Sequence, residues 1–210
     1  AYRISCTISI IPKTLQSIAE IIIEKFLGLM EGMMGSRTVA ERYIPIVATI
    51  FIFILISNWF GILPGVGSIG VYEQHGAQQK FVPFFRSAAS DLNVTLALGT
   101  LAVLLINITG MAVKGVGGHM NKFFSLRNPI DAFVGLLEFI SEFAKIISFS
   151  FRLFGNIFAG EVLLIIVGFL APFAAPIPFL MLELFVGFVQ ALVFAMLTMV
   201  FISIAVAQHH

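Results

Sequence analysis

The chain reads as a series of apolar runs separated by short polar stretches. From Pro12 to Met34 the period is helical. Lys13, Gln16, Ser17, Glu20, Glu24 and Glu31 fall close to one face, and Leu15, Ile18, Ile22, Phe26, Leu29 and Met33 near the other. This pattern predicts an amphipathic helix lying at a membrane surface. Residues 43–62 form the first uniformly apolar run, closed by Pro64 and Gly65. The stretch 64–88 carries Pro, Gly, Gln and His75 and reads as a loop polar enough to sit in water. Residues 89–113 form a second run with Asp91 in its first turn, and 114–128 a basic loop with Lys114, Lys122 and Arg127.

No proline occurs between Pro129 and Pro172, and the pattern there stays apolar and helical. A helix of about 43 residues is roughly 65 Å long, twice the thickness of a hydrocarbon core. It must tilt steeply, bend, or break at Gly155 or Gly160. Pro172, Pro176 and Pro178 then force a turn, and a last helix runs over 177–208. The fold class predicted is an all-α membrane protein, one membrane domain over 1–210. Its parts are an amphipathic helix (12–34), two transmembrane helices (43–62 and 89–113) and a long, steeply tilted hairpin (129–171 and 177–208).

Composition supports the bilayer as solvent. Apolar residues make up 59% of the chain and charged residues 11%, against about 25% charged in soluble domains. No Asp, Glu, Lys or Arg lies between Arg42 and Glu73, between Asp91 and Lys114, between Glu161 and Glu183, or after Glu183. Each gap is long enough for a helix to cross. The net charge of +1 makes no case for nucleic acid. Cys6 is the only cysteine, so an intrachain disulfide and a cysteine metal site are excluded, and no cofactor is predicted. Residues 1–11 begin at Ala1 without a Met. They are apolar but too short to span and have no clear cleavage site. Nothing repeats at a fixed period.

Lysine and arginine set the orientation. Lys25, Arg37 and Arg42 precede the first span, and Lys114, Lys122 and Arg127 follow the second, against Lys80 and Arg86 between them. Loop 64–88 is therefore expected outside. The N-terminal side and loop 114–128 are expected in the cytoplasm or its organellar equivalent. The long helix then starts inside and turns outside near Pro172.

A charge at membrane depth costs at least a few kcal/mol and marks function by default. Arg152 stands near the midpoint of the long helix. Arginine keeps its proton in proteins, so it is a fixed cation rather than a proton carrier. At 100° per residue, Glu138, Ser141, Lys145, Ser148, Arg152 and Asn156 fall within about 40° of one line, and Glu142 about 80° off it. Glu161 lies nine residues past Arg152, on the opposite face. On the last helix Glu183, Gly187 and Gln190 share a face. With the expected topology, Asp91, Glu161 and Glu183 gather in the outer half, and Glu138, Ser141 and Ser148 line the inner half. That order suggests two aqueous half-paths that do not meet, parted by Arg152.

The run S-F-S-F-R-L-F-G-N-I-F-A-G-E (148–161) closely resembles subunit a of the F-type ATP synthases. So do I-S-N-W-F-G-I-L-P (56–64), S-A-S-D-L-N-V-T-L-A-L-G (87–99) and Q-A-L-V-F-A-M-L-T-M-V-F (190–201), in the same order. The likeness covers about residues 12–210. The family usually has one more membrane helix ahead of the amphipathic one, which the resemblance implies is missing or incomplete here.

The resemblance implies a non-catalytic stator subunit in an energy-coupling membrane, bacterial inner or organellar inner. Its hairpin would pack against a rotating ring of c subunits, with lipids and peripheral-stalk b-type subunits as further partners. Arg152 matches the essential stator arginine. It would attract a deprotonated ring carboxylate and prevent a short-circuit between half-channels. Asp91, Asn156, Glu161, Glu183 and Gln190 match outer-channel or arginine-neighbour positions, and Glu138 and Ser148 the inner path. One departure is Glu183, where some members have histidine seven residues before the glutamine. Two glutamates would then face the outer path without a histidine between them; if they share a proton their titration is coupled, and a Na⁺-translocating version of the same subunit stays open.

Plainer readings exist for each group. Arg152 could be a structural ion pair with a nearby glutamate, and Glu161 and Glu183 surface residues at helix ends. Asp91 could be a helix N-terminal charge, and Ser148 bonded back to its own helix. Lys145 could reach to the inner surface, with Glu138 and Glu142 a solvated face. His75, His119, His209 and His210 read as surface residues. An intramembrane enzyme using Glu161 and Glu183 would need a nucleophile or metal ligands at depth, and no His or Cys lies in the spans. A secondary transporter predicts internal repeats, and none is visible.

Overall fold

Apolar runs of this length become helices because, without water, only a helix or a closed barrel pairs every backbone N–H and C=O. The computed structural model describes residues 14–63, 66, 69–75, 78–84, 87–115, 117–118, 129–171 and 174–206. The expectations on residues 1–13, on His119, His209 and His210, and on most of the basic loop lie outside the described residues. Five α-helices are described: α1 (Thr14–Met34), α2 (Arg37–Ile62), α3 (Leu92–Lys114), α4 (Pro129–Leu170) and α5 (Pro176–Val206). Helices α2 to α5 are long and apolar enough to cross a membrane, with mean hydropathy from 2.1 to 2.4. The chain is a multi-pass, all-α membrane protein.

The stretch expected as a plain loop holds an antiparallel hairpin instead, β1 (Gly70–His75) with β2 (Gln78–Pro83). Its register sets Tyr72 opposite Phe81 and Glu73 opposite Lys80. Val, Tyr and Phe favour strands. The strands are six residues each, and their signal is diluted by the surrounding Gly, Gln and Pro.

The chain forms two compact units, Ala1–Thr49 and Ile50–His210, with the boundary inside α2. In the first, Phe26, Leu27 and Met30 of α1 are buried. Glu20, Glu24 and Lys25 are exposed, and so are Ile21, Ile23 and Leu29. A helix that exposes charges and apolar side chains together suits an interface between water and lipid.

The second unit carries the candidate site. Its core joins Ile54 of α2, Ala102 and Val103 of α3, Phe149 and Leu153 of α4, and Phe194 of α5. Helix α4 buries a narrow stripe there, Phe149, Leu153 and Ile157, while Phe133, Ile147, Ile165 and Phe169 stay exposed. Such outward apolar faces would promote aggregation in water, and acyl chains cover them in a bilayer.

Helix α4 continues without interruption through Gly155 and Gly160 for 42 residues. Helix α5 begins at Pro176, where the missing N–H costs nothing. The two run antiparallel. Their contacts progress from Glu183 on Gly160, through Asn156 with Gln190 and Phe149 against Phe194, to Lys145 over Phe201.

Helix α3 approaches α4 at Gly99. A Cβ added there would overlap the Ser150 hydroxyl and lie 3.0 Å from the Ile146 carbonyl oxygen. The Ser150 hydroxyl is itself held on that carbonyl at 2.7 Å. Gly99→Ala is therefore expected to destabilise the subunit by about 1–3 kcal/mol through overpacking. Adding Ser150→Ala should recover part of the loss, because it removes one of the two obstacles. Thermal melting of the detergent-solubilised complex checks this; an unchanged midpoint for Gly99→Ala would refute the tight contact.

Candidate functional site

The site is built on the facing surfaces of α4 and α5. Arg152 is half-buried on α4, and its Nη2 donates to the Ser148 hydroxyl at 3.4 Å. Among the described residues no carboxylate pairs with it. A fixed charge in an apolar helix thus lacks a counter-charge among the described residues. Ser148 accepts from Arg152. The serine that bonds back to its own helix is its neighbour Ser150.

On one side of Arg152 a groove of about 260 Å³ lies between α4 and α5. Ser141, Lys145, Ser148 and Arg152 line it from α4, and Leu197 and Phe201 from α5. These four α4 residues belong to the polar stripe read from the sequence. Glu138 lies half-buried three residues before Ser141, on the same side of the helix.

On the other side of Arg152 a second polar group forms. Asn156 Nδ2 donates to Gln190 Oε1 at 2.8 Å, bridging α4 to α5. Glu183 is buried, 9% exposed, which excludes the reading of it as a surface residue. Its carboxylate rests on the bare backbone of α4: a Cβ at Gly160 would come within 2.6 Å of Glu183 Oε1. Glu161, next in sequence to that glycine, is half-buried. Glu183 Oε2 and Gln190 Nε2 are buried without hydrogen-bond partners. Leaving such an atom unpaired costs about 1–3 kcal/mol, so a polar surface at this depth points to use.

Asp91 has a simpler observed role. It is the N-cap of α3, and its Oδ1 accepts from the Asn93 N–H at 2.8 Å. Such a cap ties down one of the four unpaired N–H groups at the helix start.

Sequence reasoning missed the contacts of two sets of residues. Asn58 Nδ2 on α2 donates to the Gly187 carbonyl at 3.0 Å, and Trp59 Nε1 donates to the Leu184 carbonyl at 3.1 Å. The two fix α2 against α5 at the level of Glu183 and Gln190. Asn58 is 1% exposed and its Oδ1 is unpartnered. The available signal was an amide within a charge-free apolar run. The second set is Asn107, Glu142 and Lys145, joined by hydrogen bonds and an ion pair. Lys145 is held there and does not reach outward. Among the described residues no group of three or more His, Cys, Asp or Glu could hold a metal ion.

The profile of the family described as ATP synthase A chain matches residues 2–203. The chain belongs to the ATP synthase subunit a family. Curated members agree along nearly all of the chain. ATP synthase subunit a of Mycobacterium ulcerans is 35% identical over 99% of this chain and 81% of its own length. That of Moorella thermoacetica is 33% identical over 96% and 81%, and that of Campylobacter fetus 30% identical over 97% and 83%. In this member of the family, the groove and the polar group on the two sides of Arg152 both lie between α4 and α5.

Proposed function

We propose that this chain is the ion-translocating stator subunit of an F-type ATP synthase, with two offset proton half-channels parted by Arg152. Family membership supports the stator role and association with the rest of the complex. The observation that carries the finer reading is Arg152 itself, a permanent cation at depth with no carboxylate partner among the described residues. Its counter-charge is then a carboxylate of a neighbouring c-subunit ring, which passes Arg152 as the ring turns. Peripheral-stalk b-type subunits hold the stator still.

The groove from Ser141 to Arg152 suits the inner half-path, with Glu138 and Ser148 along it. Glu161, Glu183, Asn156 and Gln190 suit the outer one, and Asp91 caps the helix at its mouth. The long hairpin tilts to follow the ring. Loop 64–88 then lies on the outer side and loop 114–128 on the cytoplasmic side of a bacterial inner membrane. A proton crossing 100 mV supplies about 2.3 kcal/mol, which drives a ring carboxylate past Arg152. The chemistry asked of this chain is acid–base transfer and electrostatics, with no catalytic site or cofactor of its own.

Thiol labelling tests the two paths. With Cys6→Ser as background, Ser141→Cys and Ser148→Cys should react with a membrane-impermeant reagent from the cytoplasmic side. Glu183→Cys and Glu161→Cys should react from the outer side. Labelling of both sets from one side would refute offset half-paths.

A further inference from the structure

The inner groove contains two cations, and one of them is neutralised. Lys145 lies on α4 seven residues before Arg152, about 10 Å along the helix. Its Nζ pairs with Glu142 Oε1 at 2.8 Å and lies 4.9 Å from the centre of the Phe201 ring of α5. The other Glu142 oxygen accepts from Asn107 Nδ2 of α3 at 3.1 Å, and Asn107 Nδ2 also donates to its own Val103 carbonyl at 2.9 Å. The side chains of Lys145 and Glu142 are 16% and 12% exposed. Three helices therefore converge on one ion pair, and both partners are largely shielded from solvent.

The placement is informative. Glu142 stands off the polar stripe that lines the groove, and Lys145 stands on it. An unpaired ammonium there would repel a departing proton and would compete with Arg152 for an arriving carboxylate. A bare unit charge about 10 Å away, at intermediate effective polarity, alters a barrier by a factor of roughly ten. We infer that Glu142 is a positioning residue for ion translocation. It holds Lys145 aside against Phe201 and cancels its charge. Arg152 then remains the uncompensated cation among the described groove-lining side chains. Asn107 orients the Glu142 carboxylate from α3. This inference rests on the reading of the groove as the inner half-path.

The test uses ATP-driven proton pumping by the whole complex in inverted vesicles, with the amount of assembled complex measured on native gels. Glu142→Gln should lower the pumping rate roughly tenfold at equal assembly, because it releases an unpaired Lys145 into the groove. The double variant Glu142→Gln with Lys145→Gln, which removes both charges, should return to within about threefold of the unmodified complex. A purely structural bridge predicts the reverse order, with the double variant no better than the single one, and that result overturns the inference. So does an unchanged rate in Glu142→Gln. If Glu142→Gln fails to assemble, the exchanged pair Glu142→Lys with Lys145→Glu takes its place. That pair keeps neutrality, and the Asn107 amide can flip to accept instead of donate. It should pump within about threefold of normal, and a larger loss overturns the inference. Arg152→Ala in the same assay separates the two claims. If that variant pumps normally, the stator reading itself falls. If it is inactive while the double variant stays slow, the inference alone falls.

Discussion

Replacing Arg152 with alanine is expected to abolish ATP-driven ion pumping while the complex still assembles. The guanidinium makes one long hydrogen bond to Ser148, so its removal breaks little within the second unit and spares the packing of Phe149 and Leu153 beside it. What disappears is a fixed charge at depth. Opposite charges about 5 Å apart at intermediate effective polarity interact by roughly 3 kcal/mol, which corresponds to at least a hundredfold in rate. Arg152→Lys keeps the charge but loses the planar fork of donors, and a desolvated ammonium can release its proton. Its pumping should also fall, by about tenfold or more. Pumping is read from the quenching of a pH-sensitive dye in inverted vesicles, and assembly from native gels. Normal coupled pumping by the alanine variant would sink the mechanism.

The second large effect is expected from the outer carboxylates. Glu183 is buried on Gly160 with one oxygen unpartnered, and Glu161 follows that glycine on α4. In the proposed outer half-path the two pass a proton between water and the ring. Glutamine matches glutamate in shape but cannot take up and release a proton in this range. The double variant Glu161→Gln with Glu183→Gln should therefore slow transport strongly. Losing a positioned acid–base group typically costs about a hundredfold. The single variants should lose less if one carboxylate can partly serve for the other. Initial rates of proton uptake at several pH values measure this. An unchanged rate in the double variant would mean that both carboxylates are structural.

The helical architecture was largely legible because lipid imposes a simple rule. Apolar runs without charge and without strand alternation become helices, and the prolines from Pro172 to Pro178 mark where the long one stops. Arg152 was legible for the same reason, since a charge costs so much in an apolar helix that its presence announces use. The 3.6-residue period also put Ser141, Lys145, Ser148 and Arg152 on one line, and the groove is lined by those residues. The β-hairpin was not legible, since its strands are short and lie among turn-forming residues. Asn58, Trp59 and Asn107 escaped for another reason. A lone amide or indole in a span carries no charge penalty to single it out, and its partner lies on another helix.

By itself, the sequence determined that the chain lives in a membrane, how many long helices it has, which residue is the costly charge, and which polar residues share a face with it. These follow from periods and penalties that act along one helix. Only the tertiary structure decided which charges are neutralised. Periodicity placed Lys145 on the polar stripe and Glu142 off it, yet the fold joins them as a pair braced by Asn107 and Phe201. It also decided that Glu183 is buried against Gly160, and that Arg152 has no carboxylate partner among the described residues. Pairing depends on distances between helices, and no pattern along a single helix encodes them.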